Sequence, residues 1–449
     1  MNTGNQTIEV NHVDDSMMRE QDEIKNRFAI LPKILRALGA VTLLGSVSLF
    51  MFQGWESGND IYRYLLLLAH TVALAVIGIM SGRYIKESKG ARLLVALALA
   101  SIPAVFAIMG GFVYSQFSMD NLNILYPGYA HWQVDSPLVA LITIAGSIAV
   151  LLPVIWLGFM VFSRKAAGRF TFVFLLTNAA MLIPLRDTSI IGWLVLALVA
   201  LVMTSNGWAK RDDSSLKTKE GLLARGLQFL PLAVILGRGM SLYAGDMFLI
   251  TVLYTLIYVV LRQMEKIFTG EKKIQVWLER AALLPAYGMS VGVTGIVLKT
   301  FSLPAAFAIP VFAIMLAALV MEIALYSEHS TVTYRRLAAA TVTLGMLANL
   351  ILFGGVVMAA VCLILGLAVL VYGYMIESRL VFLLGVITLL TGIGYQVSYA
   401  VQLFDLGSWA SLALIGVTAI LAGSVIERHG DRIKTSVKNW GRQFQSWDY

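Results

Sequence analysis

Long apolar runs follow one another along almost the whole chain, and short polar segments separate them. The runs show no alternation of apolar and polar positions, which is the pattern of a half-buried strand. An α-helix needs about 20 apolar residues to cross the hydrocarbon core of a bilayer. Its backbone hydrogen bonds are satisfied within the segment, as lipid requires. We therefore predict an all-α fold, a polytopic transmembrane helical bundle.

The apolar runs predict about 14 spans, at residues 34–53, 62–82, 92–115, 137–162, 168–185, 189–208, 226–243, 246–262, 280–299, 302–326, 336–353, 354–374, 379–403 and 408–426. One long apolar stretch has to turn at Gly354-Gly355, and two short spans flank Arg186. The domain plan is a polar cytoplasmic N-terminal arm (residues 1–33), a transmembrane domain (34–427) and a C-terminal segment (428–449).

Basic residues set the predicted orientation. If the N-terminus is inside, the loops on that side hold nearly all of the 34 lysines and arginines, and only Arg63, Arg186, Arg238 and Lys299 fall outside. Cytoplasmic loops carry such an excess of Lys and Arg. We therefore expect both termini to be cytoplasmic, in the cytoplasmic (inner) membrane of a bacterium.

Composition and motifs exclude several classes of function. The chain is 58% hydrophobic and 13% charged, whereas soluble domains have about 25% charged residues. The net charge is +8, and the basic residues that produce it lie mostly in the predicted inner loops. The charge therefore does not indicate nucleic-acid binding. There is one cysteine, no P-loop and no metal-ligand spacing, so we predict no catalytic residues, metal or cofactor.

Charged residues at the predicted outer ends of the spans form the most informative set. Each basic member opposes the positive-inside preference, and each has an acidic residue nearby in the sequence. Together they would form an extracytoplasmic pocket for an anionic headgroup or sugar-phosphate. The alternative is local Arg–Asp pairing at helix ends. The candidate substrate-binding residues are Arg63, His131, Arg186, Asp187, Arg238 and Asp246.

Polar residues within the predicted spans are a second set of candidates, because such residues are costly in lipid and mark functional sites. Glu322 is a candidate for ion coupling, although its place near the inner end of a span also lets water reach it. His70 is read either as a packing residue or as a proton relay, and we expect the amides to bridge helices. The set is His70, Asn178, Tyr287, Glu322 and Gln396.

The C-terminal segment predicts a basic amphipathic helix. Its apolar residues recur at steps of four, three, four and three, and Lys434, Lys438 and Arg442 lie off that stripe. Such a helix binds the anionic lipids of the inner leaflet, although a partner protein in the membrane could cover the same face. The stripe consists of Ile433, Val437, Trp440, Phe444 and Trp447.

The last predicted hairpin carries a pattern of glycines and charged residues: Arg379, Gly385, Thr391-Gly392, Asp405, Gly407, Trp409, Gly416 and Glu427-Arg428. It resembles the closing hairpin of bacterial polytopic membrane families that are classified as domains of unknown function. The resemblance implies a bacterial inner-membrane protein. It brings no catalytic residues with it.

These features favour a transporter or flippase-like protein for an anionic or lipid-linked envelope substrate. A non-catalytic membrane scaffold or assembly partner is the alternative, because charges within the spans are few. A membrane enzyme acting on a lipid-linked substrate is a further alternative, which depends on the outer Arg, Asp and His residues.

We predict that Arg186→Ala impairs function more than Arg63→Ala, because Arg186 lies between short spans and would sit below the lipid surface. The measurement is growth of cells that carry each variant as their only copy. Equal and negligible effects of both substitutions would contradict an anionic pocket.

Overall fold

The structure is a computed structural model. It describes residues 59–85, 88–117, 132–184, 187–213, 216, 218–242, 245–266, 268, 271–327 and 330–404, with helical positions between 34 and 49 and the single position 420. Regular structure in these ranges is helical throughout. The predicted span 408–426 and the stripe from Ile433 to Trp447 lie outside the described residues, apart from position 420.

The helices in the described part of the chain are α1 (Asp60–Met80), α2 (Ser88–Phe117), α3 (Pro137–Phe162), α4 (Ala167–Ala179), α5 (Thr188–Asp212), α6 (Lys219–Leu227), α7 (Leu230–Leu242), α8 (Met247–Glu265), α9 (Lys272–Thr300), α10 (Ala308–Tyr326), α11 (Thr331–Leu352), α12 (Val356–Met375) and α13 (Arg379–Phe404). A π-helical turn, Ser81–Ile85, extends α1, and 3-10 turns form at Ala180–Leu182 and Ala305–Phe307.

Eleven helical segments among the described residues are long and apolar enough to cross a membrane. Two shorter apolar helices, Ile34–Leu43 and Ala167–Leu182, coincide with further predicted spans. The prediction of an all-helical, multi-pass membrane architecture is confirmed.

Two predicted boundaries are wrong for local reasons. The span 168–185 ends at Leu182, because Ile183 is extended (φ −72°, ψ 121°) and precedes Pro184, which disfavours helical backbone before it. The span 226–243 begins earlier, because the Thr218 hydroxyl caps α6 by accepting from Gly221 N. The chain then turns and continues as α7, with Pro231 in the first turn, where a missing N–H costs nothing.

The chain divides into two compact units, residues 1–244 and 245–449. In the first unit α2 is the most buried span, and it packs against α1, α3, α4 and α7. In the second unit, one core lies among α8 to α11 around Ala282, Ala286 and Ile323. Another lies among α10 to α13 around Met346 and Cys362.

The turn between α11 and α12 has the geometry that the predicted break at Gly354-Gly355 requires. Both glycines have positive φ, 60° and 90°, a region that residues with a Cβ rarely adopt. The backbone N–H of Gly355 donates to the Tyr395 hydroxyl of α13 at 2.7 Å. The side chain of Tyr395 on α13 therefore stabilises the turn between α11 and α12.

Glycines let the backbones of α12 and α13 approach closely. A Cβ on Gly366 would lie 2.8 Å from the backbone nitrogen of Leu389, and one on Gly385 would lie against the backbone of Leu370. Small residues allow such close packing between membrane helices, where van der Waals contact replaces the hydrophobic effect. Gly385 also belongs to the motif of the last hairpin.

Gly288 and Gly292 on α9 face side chains of the neighbouring helix and not its backbone. The atoms nearest to a Cβ at these positions belong to the side chains of Tyr254 and Thr251 on α8. The glycines therefore make room for neighbouring side chains.

We predict that Gly385→Ala lowers the free energy of unfolding by about 1–3 kcal/mol, because the added methyl meets backbone that cannot move aside. The matched control is Gly394→Ala on the same helix, where a Cβ meets nothing within 4 Å. The control should be neutral or stabilise by up to about 1 kcal/mol through helix propensity. Titration of the purified protein from mild detergent into dodecyl sulfate measures both, and equal effects would contradict the close approach.

Candidate functional site

The best-defined group of buried charges lies in the second unit, where α8 and α10 end. We call it the Arg262 cluster. It consists of Tyr258, Arg262, Glu265, Lys266, Glu322 and Tyr326.

Helical spacing brings these residues together. On α8, Arg262 and Glu265 follow Tyr258 by four and seven positions, so the three side chains share one face. On α10, Glu322 and Tyr326 are four positions apart. Because α8 and α10 end on the same side of the unit, each helix presents its polar face to the other.

Arg262 is held by carboxylates from two helices. Its Nε donates to Oε2 of Glu322 at 2.8 Å, and its Nη1 forms an ion pair with Glu265. The Tyr258 hydroxyl donates to the same Glu322 oxygen at 2.6 Å. The side chains of Arg262 and Glu265 are 4% and 5% exposed, whereas Glu322 is 34% exposed. Glu322 is therefore the less buried of the two carboxylates.

Tyr326 lies beside two cations at the edge of the cluster. The Lys266 ammonium is 4.2 Å from the centre of its ring, and the Arg262 guanidinium carbon is 5.9 Å from it. Burial lowers the pKa of the Lys266 ammonium, the Glu322 carboxylate opposes that shift, and Arg262 adds to it. The aromatic face compensates in part for the lost hydration of the cations.

A second buried carboxylate lies at the same end of the unit. Glu279 on α9 is 1% exposed, and it lies close to Tyr334 on α11. Its carboxylate oxygen Oε2 has no hydrogen-bond partner. Four consecutive helices therefore contribute ionisable or hydroxyl groups to one end of the second unit.

In chemical terms, this arrangement fixes one guanidinium between two carboxylates and leaves one of them accessible. Ionisable groups buried in membrane spans are costly, and they mark ion pathways, proton relays or substrate sites. Removing the charge of one partner changes the whole group, because the remaining ions then lack compensation.

The outer-end candidates in the first unit have local partners. Arg63 forms an ion pair with Asp60 at 3.1 Å, and its guanidinium lies 4.6 Å from the centre of the Trp132 ring. The Asp60 carboxylate also accepts from the backbone N–H of Gln133 at 2.8 Å. Arg63 therefore pairs locally with Asp60, as the alternative to an anionic pocket predicts.

Asp187 and Arg238 also bind to nearby backbone. The Asp187 carboxylate caps α5 by accepting from the N–H groups of Ser189 and Ile190, at 2.8 and 3.0 Å. Arg238 Nη1 donates to the carbonyl oxygen of Met181 at 3.4 Å. In the second unit, Asp246 is exposed at the start of α8 and makes no capping hydrogen bond with its side chain. Arg186 and His131 lie outside the described residues.

The amides of the second candidate set differ in their partners. The Gln396 amide donates to the carbonyl oxygen of Val356 at 3.2 Å and so bridges α13 and α12, as predicted. The prediction is wrong for the Asn178 amide nitrogen, which donates to Phe174 of its own helix at 2.6 Å. A short polar side chain can satisfy itself against the preceding turn.

The two ring-bearing candidates of this set differ in exposure. Tyr287 is 55% exposed, and its ring contacts Phe312 of α10 at 5.4 Å between centroids. His70 lies half-buried on α1, and its Nε2 is buried without a hydrogen-bond partner.

Sequence reasoning named Glu322 but missed its partners, because it assigned Arg262 to an inner loop and ended the span there. The helix in fact continues to Glu265. The signal that reveals the site is the spacing of Tyr258, Arg262 and Glu265, which places a hydroxyl, a cation and an anion on one helix face.

In the comparisons with known proteins, no protein-family model, curated protein or solved structure matches this chain.

We predict that Arg262→Met lowers the free energy of unfolding by about 3–5 kcal/mol, because it leaves the buried Glu265 carboxylate and the partly exposed Glu322 carboxylate without their cation. The matched control is Arg92→Met in the first unit. Arg92 pairs with Glu220 at 2.8 Å, but both side chains are more than 40% exposed, and such pairs contribute about 0–1 kcal/mol. Unfolding by dodecyl sulfate measures both variants, and a loss no greater for Arg262→Met than for the control would contradict the buried network.

Proposed function

We propose that this chain is a multi-pass transporter or flippase-like protein that moves an anionic or lipid-linked envelope substrate across the bacterial cytoplasmic membrane. The Arg262 cluster is the observation that carries the proposal. It places buried ionisable groups inside helices that are long and apolar enough to span a membrane. A chain that only anchored or assembled other proteins would have no need of so costly a group.

The topology that we propose has about 14 spans with both termini in the cytoplasm, as the distribution of basic residues favours. The division of the chain after Ala244 supports this arrangement, because it falls in the loop between the predicted spans 226–243 and 246–262. Each unit then contains the same number of predicted spans. Two helical halves of equal size are typical of secondary transporters.

Glu322 is the residue to which we assign ion coupling. It combines access to solvent with direct bonds to Arg262 and Tyr258. When Glu322 takes up a proton, Arg262 keeps only Glu265 as a fully charged partner on its own helix. The link between α8 and α10 is then weakened, and this weakening lets a bound ion change the arrangement of helices.

A non-catalytic scaffold or assembly partner is the second candidate, and a specific observation favours it. Arg63, Asp187 and Arg238 each bind a nearby group, so an anionic substrate would have to displace those partners. In this alternative, the C-terminal segment 428–449 binds anionic inner-leaflet lipids or a protein partner. The enzyme alternative depends on the outer Arg, Asp and His residues, and no observation in the described part of the chain favours it.

We predict that the full-length protein moves anionic lipids between leaflets when it is reconstituted in phosphatidylcholine vesicles. The probes are a fluorescent phosphatidylglycerol and a fluorescent polyprenyl phosphate, and dithionite quenches whatever reaches the outer leaflet. Glu322→Gln should slow transfer by roughly tenfold or more, which corresponds to the loss of one charge-assisted hydrogen bond.

The matched control for this assay is Glu220→Gln, which removes the carboxylate of the exposed pair with Arg92 and should leave the rate unchanged. If vesicles that contain the wild-type protein lose no more fluorescence than protein-free vesicles with either probe, the flippase proposal is wrong and the scaffold alternative is favoured. If both variants slow transfer equally, transport is retained but Glu322 has no coupling role.

A further inference from the structure

The second unit contains an apolar cavity of about 210 Å³ among α10, α11 and α12. Its walls include Ala317 and Met321 from α10, Ala339 and Val342 from α11, and Ala368 and Tyr372 from α12. All of these residues lie in spans that are long and apolar enough to cross a membrane. The cavity is thus at a depth where the surrounding medium is lipid.

The chemistry of the walls selects an apolar occupant. Tyr372 carries the polar group among the residues just named, and its hydroxyl is directed at the sulfur of Met321, 3.3 Å away. The walls thus offer water no convergent hydrogen-bonding partners. An apolar cavity of roughly 150 Å³ in another protein stays dry and binds small apolar molecules, so the occupant expected here is a hydrocarbon chain.

An arginine, Arg335, lies about one helical turn before the cavity residues of α11. Arg335 precedes Ala338, Ala339 and Val342 by three, four and seven positions, so it occupies the same face of α11 as these wall residues. Long side chains on a helix point back toward its N-terminus, which is here the aqueous end of the span. The Arg335 Nε atom is buried and has no hydrogen-bond partner.

From this geometry we propose that the cavity binds one acyl chain of an anionic glycerophospholipid, whose phosphate pairs with Arg335. The apolar cavity would hold the acyl chain, and the Arg335 guanidinium would pair with the negatively charged phosphate. Arginine forms strong paired hydrogen bonds with phosphate. The phospholipid is preferred to a peptide because every wall residue named above lies within a membrane-spanning helix. This site does not depend on the proposed transport function.

The test uses the full-length protein, purified in mild detergent and stripped of lipid. Dioleoyl phosphatidylglycerol and dioleoyl phosphatidylcholine are titrated separately, and native mass spectrometry counts the lipids retained. The wild type should retain phosphatidylglycerol more tightly, by roughly tenfold, which corresponds to about 1.4 kcal/mol. Ala368→Phe should reduce retention of both lipids, because the ring fills the cavity. Arg335→Gln should remove only the preference for phosphatidylglycerol.

The matched control is Ala318→Phe, an exposed alanine on α10 that does not line the cavity; it should bind like the wild type. If Ala368→Phe unfolds at a lower temperature than the lipid-free wild type, Ile314→Trp replaces it, since Ile314 lines the cavity and is 46% exposed. Equal retention by the cavity variant and the control would overturn the proposal. Equal affinity of the wild type for both lipids would do so too.

Discussion

A guanidinium buried among helices that cross a membrane has to be neutralised where it lies, and Arg262 meets this requirement with carboxylates from two helices. Glu265 comes from the same turn of α8, and Glu322 comes from α10. The cost of an unpaired charge at this depth is large. The ends of α8 and α10 therefore cannot separate or rotate freely unless one of the charges changes.

In the first unit, the buried Arg63 is neutralised by a residue of its own helix. Arg63 pairs with Asp60 on its own helix and lies over Trp132, and Asp60 also binds the backbone of Gln133. The ion pair thus attaches the segment before α3 to the start of α1. The two arginines illustrate different uses of one interaction: Arg63 fixes a loop to a helix end, whereas Arg262 joins two helices.

The spans themselves were predictable because their length and apolar character are properties of the sequence alone, and the span 137–162 coincides with α3. The partner of Arg63 was also readable, since Asp60 lies three positions earlier on the same helix. The bonds from Arg238 to Met181 and from Arg262 to Glu322 were not, because each joins residues more than fifty positions apart. Counting charges by loop had placed Arg262 outside the membrane, although its tertiary partners let α8 continue by another turn.

The Arg262 cluster and the apolar cavity share α10, where residues of the two sites are adjacent in the sequence. Met321 lines the cavity, and the next residue, Glu322, pairs with Arg262. Tyr334, which lies close to Glu279, directly precedes Arg335 on α11. A movement of α10 relative to both α8 and α11 therefore alters the cavity and the ionic contacts together. Two hydrogen bonds converge on one oxygen of Glu322, and a proton on that carboxylate would weaken both. Glu322 thus bonds α10 to α8, and the neighbouring Met321 makes the same turn of α10 part of the cavity wall.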